Sequence, residues 1–224
     1  MPIRAPSRKK TASITARVLP RMRDVAGVIL AGGLARRMGG GDKGLIALGG
    51  KPILAHVIER LRPQVTTLLI NANGEAERFA TYGLAVVADS IAGAAGPLAG
   101  VLAGLDWAAG KGFDLIVTAA TDTPFFPRDL VAKFREGAKT AKAQLAVAAS
   151  GGRHHPVFGL WPCALREELR RALTEEGIRK VEDWTRRHPM ATVAFEDRRY
   201  DPFFNVNRPE DVAEAEIILG KHQP

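Results

Sequence analysis

Short apolar runs alternate with amphipathic ones through the first 150 residues, and this alternation constrains the fold more than any other feature of the chain. The apolar runs at 26–30, 65–71, 84–88, 115–119 and 145–149 have the length and bounding residues of buried strands. Between them the spacing predicts helices. Pro52 opens one over 53–61, with Ile53, Val57, Ile58 and Leu61 on one face. A short one covers 75–82, Pro97 opens 98–109, and Pro127 opens 128–138 with Leu130, Val131 and Phe134 facing inward. Proline suits the first helical position because its missing N–H would have no partner there. Such an order predicts an α/β protein with a Rossmann-like, mainly parallel sheet and helices on both faces. Right-handed crossovers then bring the strand ends to one edge, where ligands of open α/β sheets bind.

After residue 150 the pattern changes. A strand is expected at 156–161, a helix at 164–173 with Leu165, Leu169 and Leu173 in its stripe, and helical structure at 179–187. Short strands are expected at 192–195 and 203–206, and Pro209 opens a last helix over 210–219. No linker or repeat interrupts 24–224, which reads as a single domain.

The chain carries a net charge of +8, but seven of its 32 Lys and Arg residues lie in 1–23, which has no acid. The rest is nearly balanced, with 25 basic residues against 24 acidic. A nucleic-acid surface would place its excess on the folded part. Residues 1–23 lack an apolar core of a secretory signal and read as a disordered basic extension, or as sequence upstream of a true start at Met22. No apolar run is long enough to span a membrane. The single cysteine, Cys163, is compatible with a reducing cytosol and has no neighbouring base that would make it a nucleophile.

The first strand empties into LAGGLARRMGGGDKG, residues 30–44. Glycines let backbone N–H groups approach a ligand and form an anion-binding nest, and Arg36, Arg37 and Lys43 add full charge at the same place. The loop is neither a Walker A motif, since Gly50-Lys51-Pro52 lacks the following Ser or Thr, nor a dinucleotide fingerprint. It is suited to a polyphosphate. Asp122, just past the fourth strand, is a hard carboxylate of the kind that binds Mg²⁺ together with substrate phosphates. Asn71 and Asp89 end two other strands and face the same edge, where an acceptor could recognise guanine or ribose. Gly96-Pro97-Leu98-Ala99-Gly100 leads into a helix whose N-terminus faces that edge. In Asn205-Val206-Asn207, alternation puts both amides on one face, for a metal, a polar substrate or the cap of the next helix. His154-His155-Pro156 has no metal-ligand spacing and reads as a substrate-contacting loop or a surface turn.

These motifs, in this order over 25–219, resemble the molybdenum cofactor guanylyltransferases, the MobA family. The signature at 30–44 is the most specific of them, joined by GPLAG, DTPFFP, the His154-His155-Pro156 turn and FFNVNRPED. The resemblance implies a nucleotidyltransferase-type fold and a cytoplasmic, Mg²⁺-dependent enzyme. That enzyme moves GMP from GTP to the phosphate of molybdenum-bound molybdopterin and releases pyrophosphate. It also implies molybdenum insertion proteins and molybdoenzyme chaperones as partners, and no membrane or nucleic acid. By the same resemblance Leu30, Ala31, Gly32 and Gly33 form the nucleotide loop, and Arg37 and Lys43 are its catalytic phosphate cations. Asn71 and Asp89 add nucleotide contacts, Asp122 is the catalytic magnesium ligand at the nucleotide, and Asn205 and Asn207 lie near the metal or the pterin. One departure is Ala120-Thr121, where relatives often carry Pro-Cys before the aspartate. Two related activities stay open: a molybdopterin cytidylyltransferase, whose relatives usually open with LAAG rather than LAGG, and a sugar-nucleotide pyrophosphorylase.

Overall fold

The alternating pattern folds into a seven-stranded sheet sandwiched between two helical layers. The structure, a computed structural model, describes residues 25–32, 42–91, 93, 96–196 and 199–220. The basic extension, Gly33, Arg36 and Arg37 lie outside them. In chain order the elements begin with β1 (Val25–Leu30), the two-residue strands β2 (Ala47–Leu48) and β3 (Lys51–Pro52), and α1 (Ile53–Leu61). Next come β4 (Thr67–Asn71), β5 (Ala85–Val87), α2 (Pro97–Gly110), β6 (Leu115–Ala120) and α3 (Leu130–Thr140). The last group is β7 (Leu145–Ser150), β8 (Arg153–Pro162), α4 (Arg166–Thr174), α5 (Val181–Thr185), β9 (Met190–Ala194) and α6 (Pro209–Gly220).

The sheet order is β5-β4-β1-β6-β8-β7-β9, with β2 and β3 forming a separate hairpin. Neighbours pair in parallel except at β8, which runs antiparallel between β6 and β7. The mainly parallel α/β expectation therefore holds, and the expected strand at 156–161 is longer and reversed. Reversal has a topological cause: β7 and β8 are joined by a tight Gly151-Gly152 turn, too short for a crossover.

Alternation along β1 divides the core. Val25 and Ile29 pack with Leu54, Val57 and Phe134 of α1 and α3, while Ala26 and Val28 pack with Val101, Leu105 and Leu169 of α2 and α4. Burial on both faces is why the strand is apolar throughout. Helix α2 is apolar around most of its circumference because it lies between the sheet and α4. Leu169 and Leu173 are fully buried, as their stripe predicts.

Several expectations need correction. Residues 76–82 form 3-10 turns rather than an α-helix. Helix α3 starts at Leu130, not 128: residues 128–129 form a turn closed by Leu130 N–H to Pro127 O at 3.3 Å, and the carbonyls of Phe126 and Pro127 also accept from Arg60 and Gln64. The helix at 164–173 opens with a 3-10 turn, Cys163–Leu165, and that at 179–187 contracts to α5. Residues 203–206 form no strand: they are held by turns around Asp201 and by one backbone bond, Val206 N–H to Asp122 O at 2.7 Å.

Candidate functional site at the carboxyl edge

Parallel pairing brings the last residues of β1, β4, β5, β6 and β7 to one edge, and reversed β8 begins there. A cavity of about 470 Å³ opens along this edge, lined by Leu30, Gly32, Asn71, Asp89 and Gly100 among others. It therefore gathers Leu30, Gly32, Asn71 and Asp89, half of the residues expected to contact a nucleotide. A second hollow of about 530 Å³, between Gln64 and Arg135, contains none of them.

Asn71 is buried, and its amide donates to Val87 O at 3.1 Å and to Asp89 Oδ1 at 3.0 Å. The other carboxylate oxygen of Asp89 accepts from Asn73 Nδ2 at 2.8 Å, and Asn73 Oδ1 receives the Asp89 N–H at 2.9 Å. Two asparagines thus hold one carboxylate at the cavity wall. Gly100 makes room for this arrangement: a Cβ there would stand 2.2 Å from Asn71 Oδ1 and 2.8 Å from Leu30 Cδ2. Ala31 is buried and its N–H is bonded to Asn71 O at 2.8 Å, so it is not free to meet a phosphate. Gly32 is exposed at the mouth; Gly33 and Arg37 lie outside the described residues.

A second group stands beyond the end of β6. Lys43 Nζ donates to Asn207 Oδ1 at 2.5 Å and lies 3.6 Å from Asp122 Oδ2. Asp122 Oδ1 accepts from Thr123 Oγ1 at 3.2 Å and, at 3.4 Å, from Asn205 Nδ2. Val206 is buried among Leu48, Ile53, Phe125 and Ile218, which turns the two flanking asparagines to this group. The alternation expected of a strand survives without the strand. Capping of α6 falls to Asp211, whose Oδ2 accepts the N–H groups of Asn207 and Arg208 at 2.7 and 2.8 Å. That leaves the Asn207 amide to Lys43. Thr121 bonds Leu30 O through both its N–H and its hydroxyl, each at 3.3 Å. It joins the end of β1 to the turn that carries Asp122.

His154 and His155 belong to β8 rather than to a loop. The Ser150 hydroxyl donates to Asp201 Oδ1 at 2.7 Å, so the His155 Nε2–H donates to Ser150 Oγ at 2.7 Å. His155 also stacks on Phe203 at 4.4 Å. Burial holds the imidazole below its ordinary range. Burial alone would raise the Asp201 carboxyl, but bonds from Ser150 and the Phe203 N–H, with His155 and Arg153 close by, hold it below the usual range. This cluster anchors the turn that delivers Asn205 to Asp122. Burial pushes the Cys163 thiol up to about 11, which makes it inert near neutrality.

Asp122 is the acid that faces Lys43 in this second group, and among the described residues no three His, Cys, Asp or Glu side chains gather as a metal cage. One half-buried carboxylate beside amide oxygens does not fit zinc. It does fit a magnesium ion that takes most of its ligands from water and substrate phosphates.

A model of the MobA-like NTP transferase domain matches residues 27–191. A molybdenum cofactor guanylyltransferase from Nitrobacter hamburgensis is 55% identical over 87% of this chain and 94% of its own. The chain belongs to the MobA family of molybdenum cofactor guanylyltransferases. A MobA relative of the same name from Mesorhizobium japonicum is 48% identical over 88% of this chain and 97% of its own. The solved structure of molybdopterin-guanine dinucleotide biosynthesis protein A from Archaeoglobus fulgidus superposes with a TM-score of 0.71. It is 27% identical and covers 88% of this chain and 99% of that one. The nucleotidyltransferase-type fold expected from the MobA motifs is thereby established.

Asn73, Ser150 and Asp201 support this edge and were not singled out by the motifs. Asn73 had a signal: in Asn71-Ala72-Asn73 a period of two puts both amides on one face. Ser150 and Asp201 are 51 residues apart and had none.

Proposed function

We propose that the protein transfers GMP from GTP to the terminal phosphate of molybdenum-bound molybdopterin, forming the guanine dinucleotide cofactor and pyrophosphate. The observation that carries this reading is the pairing of two subsites on one edge. An Asn-held carboxylate suits the guanosine, and Lys43 beside Asp122 suits the triphosphate. Guanine presents two adjacent donors, for which a fixed acceptor such as Asp89 is complementary.

No protein nucleophile is needed. The acceptor phosphate oxygen forms a bond to the α-phosphorus of GTP, the α–β bridging bond breaks, and the electron pair leaves with pyrophosphate. Lys43, steered by Asn207, moves its charge from Asp122 to the departing phosphates. Thr123 and Asn205 hold Asp122 Oδ1, which orients the carboxylate toward the triphosphate. Magnesium bound at Asp122 would balance the charge of the α- and β-phosphates. Leu30 and Gly100 shape the wall against the base, and Arg37 adds a second phosphate cation from the loop.

The enzyme works in the cytoplasm, and among the described residues no helix is long and apolar enough to cross a membrane. Molybdenum insertion proteins and molybdoenzyme chaperones supply its substrate and receive its product. Calorimetry with GTP and CTP in the presence of magnesium tests the reading, alongside pyrophosphate release with molybdopterin added. GTP should bind more tightly and pyrophosphate should appear. Preference for CTP would reassign the enzyme to the cytidylyl reaction, and absence of release would remove the catalytic reading.

A further inference from the structure

We infer that Arg78 is a positioning residue that clasps the two halves of the nucleotide cradle, tying the Asn73 turn at the guanosine end to Asp42 at the phosphate end. The inference rests on the GTP reading above and adds residues that the proposed chemistry does not use.

Arg78 lies in the 3-10 segment Ala76–Tyr82 after β4. One guanidinium nitrogen donates to Asn73 O at 2.6 Å, and another donates to Glu75 O. Its Nε stands 2.5 Å from Asp42 Oδ2, an ion-pair contact without the alignment of a hydrogen bond. The guanidinium plane also lies over the buried Phe79 ring, 4.6 Å from its centre. Gly74 permits this arrangement: at φ +84° it turns the chain so that the carbonyls on either side meet one planar fork. Both charges are mostly shielded, with side chains 25% and 14% exposed, so the pair is not an ordinary surface contact.

Each end of the clasp adjoins a working residue. Asn73 holds the Asp89 carboxylate through two hydrogen bonds. Asp42 immediately precedes Lys43 and begins the 3-10 turn Lys43–Leu45. The connection Asp89–Asn73–Arg78–Asp42–Lys43 thus fixes the spacing between the guanosine acceptor and the phosphate cation. A ligand that reaches both subsites gains from that fixed spacing, while one that fills a single subsite does not.

The test uses the full chain with Asp42→Asn, Arg78→Gln and the double variant. The ligands are GTP, guanosine and inorganic tripolyphosphate, measured by displacement of a fluorescent GTP analogue. Each single variant should weaken GTP about tenfold while changing guanosine and tripolyphosphate little, and the double variant should be no weaker than the worse single one. Asp42→Asn is the more decisive. It removes a negative charge beside Lys43, so electrostatics alone would tighten GTP, whereas loss of the clasp weakens it. Tighter or unchanged GTP binding in Asp42→Asn overturns the clasp, as do multiplying effects in the double variant or an equal loss for guanosine. Failure of unaltered protein to bind GTP would instead remove the functional reading itself. Should Arg78→Gln not fold, as thermal melting would report, the sign of the Asp42→Asn effect decides the matter.

Discussion

At the scale of single residues, Asp122 and Lys43 define what the edge can do. In the free protein they lie 3.6 Å apart, so the ammonium screens the carboxylate until phosphates arrive. On the proposed reading the two have separable duties: Lys43 would contribute to binding the triphosphate, and Asp122 mainly once charge develops at the reacting phosphorus. Asp122→Ala should therefore abolish turnover and leave GTP affinity within a few-fold, because its loss falls on the transition state rather than on the bound ground state. Steady-state kinetics beside calorimetry checks this, and near-normal turnover would remove the metal assignment. Asp122 and Lys43 were singled out in the sequence by a carboxylate just past a strand and a cation in a glycine-rich segment, and the fold brings the two within 3.6 Å. Arg78 was not legible, since nothing in a short polar segment tells which arginine will find a partner 36 residues away.

Elements set the positions of those residues by backbone approach. Helix α2 lies close against β1 and β4 because Gly104 presents no side chain to Val28 and Gly100 none to Asn71 Oδ1. Gly100→Ala should push Asn71 off its bonds to Val87 and Asp89. The expected cost is about 1–3 kcal/mol of stability together with a weaker GTP complex. Chemical denaturation and GTP titration of this variant measure the two effects, and an unchanged affinity would show that Asn71 relaxes without consequence. The GPLAG motif was visible as a helix start, yet the reason for its last glycine was not. Strand β8 shows the same limit. Its apolar stretch is plain in the sequence, but its reversal follows from the Gly151-Gly152 turn, and its place beside β6 is secured by Thr118. That hydroxyl donates to Val157 O at 2.5 Å and accepts from the Trp161 indole at 2.8 Å.

Across the whole molecule, a buried histidine, His56, and a partly buried one, His155, should make folding sensitive to acid. Burial lowers His56 from its ordinary value near 6.5, against the opposing effect of its bond to Leu48 O, and burial lowers His155 likewise. Below pH 6.5 the unfolded chain takes up protons that these folded imidazoles resist, so stability is present above that value and declines as pH falls through the lowered values. The melting temperature should fall between pH 7.5 and pH 5.5, and His155→Gln should reduce the fall. A flat profile would show that neither histidine is linked to folding.

Taken by itself, the sequence determined that the chain forms a mainly parallel α/β sheet with a glycine-rich, basic segment after its first strand. Apolar period, helix-opening prolines and clustered glycines are local properties and need no partner to be recognised. Only the tertiary structure decided that Asn73 and Asn71 share Asp89, that Asn207 serves Lys43 instead of capping α6, and that Ser150 and Asp201 support the Asn205 turn. Each of these is a choice among several available hydrogen-bond partners far apart in the chain. Such choices are settled by which groups the packed layers bring within about 3 Å of one another.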